Sequence, residues 1–113
     1  MALTQEQIDD LEQKHGRIAV VRSQFRGKDG QPEWLVVLRK PNRGEYKMFR
    51  AQTANPAQKA DAQETFIRQT CVFPDRLALD AMLDDFPGLA DSEGVTEACK
   101  ALTGLSSVQD AKA

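Results

Sequence analysis

Residues 34–50 read Trp34-Leu35-Val36-Val37-Leu38-Arg39-Lys40-Pro41-Asn42-Arg43-Gly44-Glu45-Tyr46-Lys47-Met48-Phe49-Arg50, and this stretch decides the fold. Its first half is a run of branched and aromatic residues, the composition of a strand. Pro41 cannot donate to a strand ladder, and Asn42 is a good N-cap, so the chain turns here from strand into a helix over about 43–53. One junction therefore joins a sheet to a helical layer.

Working toward the amino terminus, residues 17–25 (RIAVVRSQF) form a second run of the same kind, and the intervening GKDGQP contains an Asp-Gly turn signal. The two runs are expected to form an antiparallel β-hairpin. Counting by twos puts Trp34, Val36 and Leu38 on one face and Leu35 and Val37 on the other, with Ile18, Val20 and Arg22 opposed to Ala19, Val21 and Phe25. Both faces are apolar, so helices must cover both, or another chain shares a face or an edge. A small domain with such a hairpin is a candidate for self-association. Ahead of it, Thr4 and Gln7 match a capping box, Ile8 and Leu11 share a face, and Gly16 stops the helix so defined.

Toward the carboxyl terminus, Asn55-Pro56 opens a helix expected over 56–71, with Ala60, Gln63, Phe66, Ile67, Thr70 and Cys71 inward. Phe73-Pro74-Asp75 breaks it. Leu79, Met82, Leu83 and Phe86 then recur at helical spacing, and Val95, Ala98, Cys99 and Leu102 repeat that pattern up to Gly104. Burying the first of these quartets contributes roughly 6–12 kcal/mol before chain entropy is charged. The expected architecture is α+β: an N-terminal helix, a two-stranded antiparallel hairpin, then about four helices packed against it. Residues 1–105 make one domain, and 106–113 read as a flexible polar tail.

The chain has 113 residues and a net charge of -2, but the charge is unevenly distributed. Residues 1–16 carry one base and four acids, residues 17–50 nine bases and three acids, and residues 51–113 five bases and ten acids. The basic segment, with Trp34, Tyr46 and Phe49 interleaved, is the one feature that points toward nucleic acid. The acidic pI of about 5.4 and the core's need for those aromatics weigh against it. Internal complementarity between the basic hairpin and the acidic helices is the favoured reading of the asymmetry, and a protein partner comes before nucleic acid for the residues that point outward. The outward set Arg39, Lys40, Arg43, Lys47 and Arg50, with Trp34 and Tyr46, is the expected partner-binding surface.

Catalytic and cofactor chemistry is not expected. His15 stands apart from any cluster at metal-ligand spacing, and Gly27, Gly30 and Gly44 do not form a phosphate-binding loop. Asp80, Asp84 and Asp85 lie on the outer side of an amphipathic helix, where carboxylates are normally solvated. Cys71 and Cys99 fall on apolar stripes, without the CxxC spacing of a redox or metal pair, as reduced buried thiols do. No apolar run approaches the roughly 20 residues needed to span a bilayer, and the polar, acidic start does not read as a signal peptide, so the cytoplasm is the expected compartment and no membrane contact is expected.

Taken in order, Arg39-x-Pro41-x-x-x-Glu45-Tyr46, then Cys71-Val72-Phe73-Pro74, then Phe86-Pro87-Gly88, then Leu102 and Gly104, the chain resembles the small tail assembly chaperones of long-tailed bacteriophages. The resemblance covers residues 34–104, not the first helix or the charged hairpin turn. It implies a non-enzymatic protein of the bacterial host cytoplasm. Such a protein binds the tape-measure protein, keeps its long apolar helices soluble and helps recruit tail-tube subunits. The alternative reading is a small phage or prophage regulator that binds a host protein or nucleic acid through residues 17–50.

Overall fold

The computed structural model describes residues 3–104, and helices and one antiparallel sheet give an α+β architecture. Helix α1, Gln5–His15, begins with the expected capping box: the Gln7 N–H donates to Thr4 Oγ1 at 3.1 Å, and the Thr4 N–H donates to Gln7 Oε1 at 2.9 Å. Gly16 ends it at φ 81°, a left-sided conformation that glycine adopts without a Cβ penalty. No residue of α1 is fully buried, so this helix lies on the surface.

Strands β1 (Ile18–Arg22) and β2 (Leu35–Arg39) pair antiparallel, Ile18 opposite Arg39 and Val20 opposite Val37. The connection is longer than a tight hairpin, with a bridge between Arg26 and Pro32 and a turn through Gly30 at φ 79°. Phe25 therefore lies outside β1 and is 72% exposed, rather than sharing the Ala19 and Val21 face.

The sheet has three strands where the sequence suggested two. Cys71–Phe73 forms β3, antiparallel to β2 on the side away from β1, with an irregularity in register at Val37/Leu38. This makes β2 the central strand and explains its composition: Leu35, Val36, Val37 and Leu38 are each no more than 4% exposed. Alternation sends Trp34, Val36 and Leu38 into the main core with Val21, while Leu35 and Val37 are buried apart from it.

Helix α2 spans Arg43–Ala54 and α3 spans Ala62–Thr70. The expected single helix over 56–71 is shorter at both ends. Asn55 instead organises a turn, accepting the Ala57 N–H on its side chain at 3.0 Å, and one 3-10 turn, Lys59–Asp61, follows. Residues 56–61 are exposed, so nothing apolar holds helix there; α3 starts at Ala62, the first buried position. Ala60 is accordingly outside, and the inward stripe is Ala62, Phe66, Ile67 and Thr70. An edge-to-face contact between Phe49 and Phe66, 5.2 Å between ring centres, fastens α2 to α3.

Helix α4, Arg76–Asp85, is capped by Asp75 and buries Leu79, Met82 and Leu83, with Phe86 half-buried beside them. A second 3-10 turn adds Leu89 and Ala90 to the core before α5, Glu93–Thr103, which buries Val95, Ala98, Cys99 and Leu102 as the spacing predicts. Among the described residues four α-helices thus follow the hairpin. The tail expected at 106–113 lies outside the described residues.

Candidate functional site

The junction between β2 and α2 is a hydrogen-bonded knot. Arg39, the last residue of β2, donates from Nη1 to Glu45 Oε1 at 2.9 Å and from Nη2 to Glu45 Oε2 at 2.8 Å. Nη2 also donates to the Gln69 carbonyl in α3 at 2.8 Å, and Nη1 to the Lys40 carbonyl at 3.1 Å. Glu45 closes the capping box of α2: its carboxylate accepts the Asn42 N–H at 2.9 Å, and the Asn42 side chain accepts the Glu45 N–H at 2.8 Å. The guanidinium of Arg39 holds the Glu45 carboxyl below its usual range, and Glu45 raises Arg39 in turn. Arg39 thereby ties β2, α2 and α3 together.

Of the residues expected to meet a partner, the structure leaves four fully on the surface: Lys40, Arg43, Lys47 and Arg50. Arg43, Lys47 and Arg50 follow at i, i+4 and i+7 and form one stripe along α2. Tyr46 is half-buried beside it, and the Arg50 guanidinium carbon lies 5.9 Å from the centre of its ring, a cation–π arrangement. Lys40, Arg43 and Tyr46 also border a cleft whose far wall is Leu102 and Thr103 of α5. Trp34 does not join this surface; it is 8% exposed and packs in the core. The outward group is thus a cationic stripe with one aromatic ring, suited to an acidic or amphipathic partner.

His15 is exposed in the last turn of α1. Asp80 receives Arg68 Nη1 at 3.0 Å, and Asp84 and Asp85 are exposed. Burial pushes both Cys71 and Cys99 up to about 11, so both remain protonated thiols at neutral pH, and the Cys71 thiol donates to the Phe73 carbonyl at 3.1 Å. Among the described residues no three His, Cys, Asp or Glu side chains stand together as a metal site, and no helix is long and apolar enough to cross a membrane.

A second concave surface was not visible as a motif. It runs along the free edge of β1, between Ala19, Val20, Val21 and Arg22 on one side and Gly94, Glu97, Ala98 and Ala101 of α5 on the other. It continues past Ser23 to Phe25 and the rim of Trp34, where Ser92 and Glu93 form the opposite wall. The signals for it were present but scattered: an apolar edge strand, and a last helix with small residues beside its core stripe. Comparison with protein-family models, curated protein sequences and solved structures gave no match.

Proposed function

We propose that this protein is a non-enzymatic tail assembly chaperone of the long-tailed phage type, acting in the host cytoplasm. It would bind the tape-measure protein and help recruit tail-tube subunits. The observation that carries the reading is the separation of roles at the 39–50 junction. Arg39 and Glu45 are consumed in fastening strand to helix, while the side chains of Lys40, just before α2, and of Arg43, Lys47 and Arg50 along it are exposed. A rigid junction presenting a basic, aromatic-edged helix suits a module that holds the acidic face of a long amphipathic client.

Co-expression tests this directly. A tape-measure protein, the long helical client of this reading, should co-purify with it and stay soluble only in its presence, and Arg43→Glu with Lys47→Glu should release it. A client equally soluble alone would overturn the reading. The same stripe supports the second reading, a regulator that binds nucleic acid. In that case duplex or single-stranded DNA binds at low salt, the affinity falls steeply as salt rises, and the same charge reversal abolishes it.

A further inference from the structure

The free edge of β1 has its hydrogen-bonding pattern fixed by its pairing with β2. The Lys40 N–H donates to the Arg17 carbonyl and the Ser23 N–H to the Trp34 carbonyl, each at 3.0 Å, so in the register of the hairpin Arg17, Ala19, Val21 and Ser23 face β2. Ile18, Val20 and Arg22 consequently turn their N–H and C=O groups outward, on a side where no described strand lies. β1 contains no proline and no bulge to blunt that edge. Beside it runs the trough against α5, lined by Gly94, Glu97, Ala98 and Ala101, with Glu97 and Ala101 exposed.

We propose that this trough takes an extended peptide segment of a partner protein, which adds to β1 as a fourth strand and places a basic side chain against Glu97 and Glu93. An added strand alternates its side chains as β1 does. Those opposite Ala19 and Val21 point toward α5, over Ala101 and toward Glu97; farther along, Phe25 and the rim of Trp34 receive an apolar one. The charged lining is Arg22, Glu93 and Glu97, which favours a cationic over an anionic segment. A lone strand fits better than a second copy of this chain. Two-fold pairing of β1 with β1 would bring a second α5 to the same side of the sheet and set Glu97 toward Glu97. The surface is distinct from the α2 stripe, and the proposal does not rest on the chaperone reading.

The test uses the full chain, immobilised against a displayed library of random octapeptides, with the winning peptide then titrated in solution. The expected winners alternate apolar residues with at least one Lys or Arg, perturb the fluorescence of the single Trp34 and slow amide exchange at Ile18, Val20 and Arg22. N-methylating alternate backbone nitrogens of the peptide should weaken binding at least tenfold. Val20→Pro should do the same, since it removes an outward N–H without breaking a bond to β2. Glu97→Arg should turn the selection toward acidic sequences. The proposal is overturned by a library with no enriched sequence, by winners lacking basic residues, or by binding indifferent to N-methylation. A concentration-dependent dimer whose Ile18 and Val20 amides are protected without peptide would also overturn it, because a second copy would then hold the edge.

Discussion

Gly94 of α5 approaches Val21 of β1 so closely that a methyl group on its α-carbon would stand 2.9 Å from Val21 Cγ1. Val21 is buried and, being β-branched, cannot swing aside. The small size of residue 94 thus sets the spacing between the last helix and the first strand.

Gly94→Val is expected to destabilise the protein by about 1–3 kcal/mol through overpacking, despite the better helix propensity of valine. Val21→Ala alone should also cost stability. The double variant should lose less than the sum, and urea denaturation of all four proteins measures the coupling. Strict additivity would mean that the two side chains do not meet.

Arg39→Met should cost about 1–3 kcal/mol, because it leaves the half-buried Glu45 carboxylate without its bidentate partner and the Gln69 carbonyl without its donor. Arg68→Met, on the more open ion pair with Asp80, should cost under about 1 kcal/mol. Chemical denaturation of the two variants under one condition orders them.

The pH dependence follows from Glu45, whose folded-state pKa is depressed by Arg39. Its contribution is present above the unfolded value of about 4.3 and is lost as pH falls through the lower folded value. Stability measured from pH 7 downward should decline on this acid limb. Glu45→Gln should flatten the decline while lowering stability at neutral pH.

Both thiols should react with a disulfide reagent about two orders of magnitude more slowly than free cysteine at pH 7.5, given thiolates that form only near 11. Following release of the reagent's chromophore checks this. Fast labelling of the folded chain would place a thiol in solvent.

Arg43→Glu with Lys47→Glu should leave unfolding stability within about 0.5 kcal/mol, since both side chains are exposed. Thermal and urea unfolding supply the control that separates lost partner binding from lost folding.

The helices with long apolar stripes were legible because each of their core positions repeats at helical spacing; Leu79, Met82 and Leu83, and Val95, Ala98, Cys99 and Leu102, are buried as that spacing requires. The capping boxes at Thr4 and Asn42 were equally legible, being local chemistry. β3 was not, because three residues are too few to show alternation and Cys71 also fits the inward face of the helix before it. At the surface, exposure of Lys40, Arg43, Lys47 and Arg50 followed from their spacing. The fate of Arg39 did not, since its partners, Glu45 and the Gln69 carbonyl, are fixed only once the chain has turned and α3 has returned.

The placement of β2 governs how the protein can be made. Its neighbour β1 precedes it closely, but β3 comes some thirty residues after it and the helix that covers Val21 later still. During synthesis the hairpin leaves the ribosome with Val36, Val37 and Leu38 awaiting cover that is translated only later. For that interval the nascent chain is the species at risk of aggregation, and a truncation before Glu93 would make the interval permanent.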